Sequence, residues 1–137
     1  MDDNPAHATH GNVYLTGYYL DASVSKLRYY TVAYNAAGSR IWYATEPVDG
    51  TGVPSNNNYA GGMTLSPDGN YVYVAGSSCP VGIVNCPTTV TTGSTYHFYI
   101  VRYDVATGLH PQFVTSNFGL SERAIGIAAD ACRCYIL

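Results

Sequence analysis

Charge is the first thing this sequence is short of. Only 11% of its 137 residues are charged, 6 Lys or Arg against 9 Asp or Glu, for a net charge of −3. A chain so near neutrality lacks the basic field that draws proteins to nucleic acid or anionic lipid. No apolar run approaches the ~18 residues of a membrane-spanning helix. Four cysteines are too few for a disulfide-scaffold domain of this length. The N terminus, Met1-Asp2-Asp3-Asn4-Pro5, is acidic and has no apolar stretch, so no signal peptide is expected in this chain. Sustained helical periodicity with caps is missing too. What is present is 47% hydrophobic, with 14 Tyr, 14 Gly and 7 Pro, a composition that excludes wholesale disorder and favours strands and turns. The length fits a single domain.

The chain repeats itself. Gly11-Asn12-Val13-Tyr14-Leu15-Thr16-Gly17 returns as Gly69-Asn70-Tyr71-Val72-Tyr73-Val74-Ala75-Gly76, with Tyr14 matching Tyr73. Tyr30-Thr31-Val32-Ala33-Tyr34-Asn35 returns as Tyr99-Ile100-Val101-Arg102-Tyr103-Asp104, and Gly38 matches Gly108. Tyr43-Ala44-Thr45 matches Phe113-Val114-Thr115, and Met63 to Asp68 matches Ile125 to Asp130. Four segments recurring in one order mark repeated supersecondary units. The spacing widens between Gly76 and Tyr99 and narrows between Thr115 and Ile125, which places the variable loops there.

Each recurring segment alternates with period 2, the mark of a strand. Val13, Leu15 and Gly17 share one face, matched by Val72, Val74 and Gly76. Tyr30, Val32 and Tyr34 share another, matched by Tyr99, Val101 and Tyr103. Gly38, Asp68 with Gly69, and Asp104 with Gly108 stand where the chain must reverse and read as turn residues. Strands are predicted near 12–18, 28–35, 40–45, 60–66, 70–76, 97–104, 112–116, 123–128 and 132–137. They group into units of about 11–66 and 69–128 and a partial strand at 132–137, with an inserted loop at 77–96. Residues 1–10 read as a disordered or fragment-edge N terminus.

The run from Tyr30 to Gly38, then Ile41-Trp42, Met63 to Gly69 and Val72 to Gly76, resembles tandem bacterial β-propeller repeats. The likeness is to the type known as seven-bladed propeller repeats or quinoprotein-like and YVTN-like propellers, and it covers Gly11 to Asp130. The insertion after Gly76 and the ending Cys132-Arg133-Cys134-Tyr135-Ile136-Leu137 depart from that pattern. The resemblance implies an all-β fold of consecutive four-stranded antiparallel blades, two and a partial third, forming an incomplete propeller. Closure takes roughly four to eight blades. The resemblance therefore implies a fragment whose partners are further blades of the same protein or other copies of the chain. The expected role is a non-catalytic scaffold or binding surface for a protein, glycan or small ligand, secreted or periplasmic in the parent protein. The alternatives are a piece of a quinoprotein dehydrogenase-like or lactonase-like enzyme with its active site elsewhere, and a homo-oligomeric lectin-like ring. No cofactor is expected.

Residues that could carry chemistry are few. Cys79 and Cys86 bracket a Pro- and Gly-containing loop and could pair if the compartment is oxidising, with zinc as the weaker alternative because C-x6-C is not a usual ligand spacing. Val81, Ile83 and Val84 make that loop the candidate contact surface. His7 and His10 read as a solvated pair, and nothing marks His97 or His110 as a general base. The polar loop from Asp49 to Asn58 offers oxygen ligands without the acid spacing of an EF-hand. Trp42 and the many Tyr would serve packing between units, or stacking on a sugar or planar cofactor.

Overall fold

Period-2 alternation is realised as antiparallel strands throughout. The computed structural model describes residues 1–23, 25–46, 56–79, 96–109, 112–115, 122, 124–130 and 134–136, and among them the fold is all-β, with no helix. In chain order the strands are β1 (Val13–Asp21), β2 (Lys26–Tyr34), β3 (Arg40–Glu46), β4 (Asn56–Leu65), β5 (Tyr71–Cys79), β6 (His97–Asp104), β7 (Gln112–Thr115), β8 (Ile127–Ala129) and β9 (Cys134–Ile136). They form three sheets in strict sequence order: β1-β2-β3, β4-β5-β6-β7 and β8-β9.

The repeated segments hold the same register. Leu15 pairs with Val32, and Val32 with Tyr43; Val74 pairs with Val101, and Val101 with Phe113. One step along, Gly17–Tyr30–Thr45 is matched by Gly76–Tyr99–Thr115. Because a one-residue slip would send every side chain to the opposite face, this agreement fixes which residues point which way.

Between the first two sheets lies the main core. Tyr14, Tyr29, Ala33 and Trp42 from β1–β3 pack on Val72, Val74, Tyr99, Val101 and Tyr103 from β5 and β6. Tyr29 meets Tyr99 edge-on with ring centres 5.8 Å apart, and Trp42 stacks on Tyr103 at 5.8 Å. The Trp42 indole N–H donates to the Val105 carbonyl at 2.7 Å, so the largest buried side chain of β3 is satisfied across the sheet boundary. Burying each such Val or aromatic side chain contributes roughly 1.5–3 kcal/mol. The other face of the second sheet packs Ala75, Tyr73, Phe98 and Ile100 against Ala124 and Ile127. Buried on both sides, β5 shows almost continuous burial and little alternation.

Three expectations need correction. The strand at 60–66 does not close a sheet with β1–β3; as β4 it hydrogen-bonds to β5 and opens the second sheet. Its short turn Ser66-Pro67-Asp68-Gly69 leads into β5, whereas the link from β3 is long, so pairing follows the short connection. The strand expected at 123–128 is confined to Ile127–Ala129. Residues 124–126 instead lie so close to the backbone of β4 that a Cβ on Gly61 would overlap the Ala124 carbonyl. Residues 1–10, expected as a disordered or fragment-edge N terminus, are ordered in turns: Asp2 is 2% exposed, its N–H donates to the Asn12 carbonyl, and its carbonyl accepts from Gly11.

Candidate functional site

The face of β1–β3 turned away from the core is the most distinctive surface of the described residues. Registers align Leu15, Val32 and Tyr43 on it, and Gly17, Tyr30 and Thr45 beside them. Strand alternation adds Tyr19 and Ile41. Tyr19 meets Tyr30 edge-on at 6.0 Å, and Tyr30 meets Tyr43 at 5.9 Å with planes 30° apart, a ladder of phenol rings crossing all three strands. The Arg40 guanidinium lies over the Tyr43 ring, 4.9 Å from its centre. Leu15, Tyr19, Ile41 and Tyr43 are all exposed. The charged end of the face is closed by Arg28, whose Nε donates to Asp21 at 2.9 Å. Hydrogen bonds from Ser23 and Arg28 hold the Asp21 carboxyl below its usual range, so it stays ionised.

Chemically, this face offers apolar area, ring faces and phenol hydroxyls. The expected turn residues lie elsewhere and bond locally. Asp104 Oδ1 accepts from the Ala106 and Thr107 amides and the Thr107 hydroxyl. Asn35, at the matching position, accepts from the Ala37 and Ser39 amides. Asp68 accepts from the Ser66 hydroxyl and the Asn70 amide. These donors lower both aspartates, the Thr107 hydroxyl leading at Asp104 and the Ser66 hydroxyl at Asp68. Gly38, Gly69 and Gly108 all have positive φ, the left-handed conformation that closes each turn.

Cys79 is fully buried beside Tyr96 and Tyr59 and is disulfide-bonded. Cys86, Val81, Ile83 and Val84 lie outside the described residues, as do His110 and most of the polar loop beginning at Asp49. Of that loop's end, Asn58 is buried and donates to the Leu27 carbonyl at 3.3 Å, tying β4 to the β1–β2 hairpin. His97 pairs in register with Ser78 along β6. No group of three or more His, Cys, Asp or Glu among the described residues is placed to hold a metal.

The solvated reading of His7 is corrected. Its ring is half-buried, with Nδ1 2.9 Å from Asp2 Oδ1, and Thr9 donates to the other oxygen of the same carboxylate at 2.6 Å. Sequence spacing missed this cluster because its members meet through consecutive turns rather than a helix or strand period. The one available signal was Asn4-Pro5, a turn-initiating pair. Trp42 lies on the buried side of β3, so it is packing and takes no part in the exposed ladder. No protein-family model and no curated protein matches the chain.

Proposed function

We propose that this chain is a non-catalytic segment of a β-propeller repeat protein, a scaffold whose sheets present a binding surface to a protein, glycan or small ligand. The observation that carries the reading is the shared register of β1–β3 and β5–β7. In the second sheet the face bearing Val74, Tyr99 and Val101 is covered by the first sheet. The matching face of the first sheet, bearing Leu15, Tyr30 and Val32, has no sheet over it among the described residues. Sheets that stack by one rule, with one such face left uncovered by the described residues, favour a continuing array, supplied by further blades of the same protein or by other copies of the chain. The buried disulfide at Cys79 favours a secreted or periplasmic setting, with Cys86 as its proposed partner.

Light-scattering mass of the full chain tests this reading when paired with Leu15→Lys and Tyr43→Lys. Self-association or precipitation of the native chain, relieved by either lysine, is the expected result. A soluble monomer that melts cooperatively and is indifferent to both substitutions would overturn it.

A further inference from the structure

His7 stands between acceptors on two different parts of the chain. Its Nδ1 is 2.9 Å from Asp2 Oδ1, and its Nε2 is 3.0 Å from the Pro67 carbonyl in the β4–β5 turn. The ring lies directly on Gly69, where a Cβ would meet its Cγ at 2.5 Å. A third group competes for the same nitrogen: Nε2 is 2.9 Å from the Asn4 side-chain amide nitrogen. The Asn4 oxygen accepts from the Ala6 N–H at 3.0 Å, which turns that amide nitrogen, a donor only, toward the ring. Nε2 cannot donate to Pro67 and accept from Asn4 at once. An imidazolium carries a proton on both nitrogens, a neutral imidazole on one.

We propose that His7 is a proton-operated clasp between the N-terminal segment and the β4–β5 turn. Charged, it donates to Asp2 and to Pro67 and pins the two segments together. Neutral, it keeps Nδ1–H on Asp2, turns the Nε2 lone pair to the Asn4 amide, and lets go of the turn.

The charged groups facing the ring are Asp2 from its own segment and Asp68 from the turn, and both favour the cation. The Asp2 hydrogen bond, then the Pro67 carbonyl, raise His7 above 6.5, against a smaller opposing effect of burial. Burial would raise Asp2, but hydrogen bonds from Thr9, His7 and the Asn4 amide outweigh it and lower the carboxyl. The contribution of His7 is complete below pH 6.5 and fades as pH rises through its elevated midpoint. That of Asp2 is present above 3.8 and is lost as pH falls through its depressed value. The clasp is therefore firmest between these limits.

The test is a nitrogen-15 titration of the imidazoles in the full chain, with amide exchange read at Gly69, whose N–H donates to Ser66 in the same turn. His7 is expected to titrate above 6.5 with both nitrogens protonated on the acid side. Gly69 protection, corrected for intrinsic exchange, is expected to fall on the alkaline side, by up to about tenfold for each unit of elevation. His7→Gln should flatten that dependence, and His10→Gln should leave it intact. A His7 midpoint at or below 6.5, or the same Gly69 profile in His7→Gln, would refute the clasp. If His7→Gln does not fold, Asp2→Asn decides: the His7 midpoint must drop, and an unmoved midpoint refutes the clasp equally.

Discussion

Leu15 and Val74 occupy one position of the repeated strand and pair across to equivalent valines, Val32 and Val101, yet Leu15 is 54% exposed and Val74 is sealed. The difference arises from what lies over each face and from strand position, since β1 is the edge of its sheet whereas β5 lies between β4 and β6. Val74→Ala should cost about 2 kcal/mol by leaving a cavity between sheets, while Leu15→Ala should stay within about 0.5 kcal/mol. Urea denaturation at a concentration where the chain is monomeric measures both. Equal costs would mean that the outer face is covered in solution.

Trp42 is the only tryptophan in the chain, and it joins the two sheets twice, by its stack on Tyr103 and by its N–H to Val105. Trp42→Phe keeps a ring but orphans the buried Val105 carbonyl, which should cost roughly 1–3 kcal/mol. Its emission in the native chain should be blue-shifted and should red-shift in step with the loss of strand signal by circular dichroism. Separate transitions would show that the sheets part before they unfold.

The Tyr29 hydroxyl is buried without a hydrogen-bond partner among the described residues, and burial, aided by neighbouring Tyr103 and Tyr99, pushes its ionisation well above the ordinary tyrosine range. Removing an unsatisfied buried polar group while keeping the ring relieves a desolvation penalty. Tyr29→Phe is expected to be neutral or to stabilise by up to about 1 kcal/mol, read as a rise in the thermal midpoint. Destabilisation would mean that the hydroxyl finds a partner, such as a trapped water.

Local patterning made most of the strands legible. Tyr30, Val32 and Tyr34 alternate plainly, and the Gly- and Asp-bearing turns at Gly38, Gly69 and Gly108 stand where the chain reverses. Which strand joins which sheet was harder to read. Met63 to Asp68 looks the same whether it closes the first sheet or opens the second, and only the pairing of Met63 with Val74 decides it. The exposed ladder was also hidden, because Tyr30 and Tyr99 are identical residues at equivalent positions with different neighbours. The Asp2–His7–Thr9 cluster has no period at all. Its residues converge by successive turns, and residue spacing carries no trace of that.

Gly38 and Gly108 separate backbone strain from steric contact. Both have positive φ, 79° and 69°, but a Cβ on Gly38 would meet open space, whereas one on Gly108 would meet the Trp42 ring at 2.6 Å. Gly38→Ala should therefore cost only the left-handed penalty, about 1 kcal/mol. Gly108→Ala should cost more and should also shift Trp42 emission. If both substitutions cost the same and leave emission unchanged, the turn does not press on the indole.

Asp104 and Asn35 offer a test of acid sensitivity, because they sit at matched turns and only one can titrate. Asp104 Oδ1 gathers three hydrogen bonds, and the Thr107 hydroxyl and amide hold its carboxyl below 3.8. A carboxylate depressed in the folded state adds stability that is present above its unfolded value and disappears as pH falls through the folded one. Asn35 holds the Ala37 and Ser39 amides through the same atom, Oδ1, without a charge. Asp104→Asn should keep the acceptor and lose the titration. The variant should be slightly less stable than the native chain near neutrality, and the gap should narrow as pH drops below 3.8. Thermal midpoints measured from pH 7 to pH 2.5 would show it. A gap that stays constant across that range would mean that the Asp104 charge adds nothing to the turn beyond what an amide oxygen supplies.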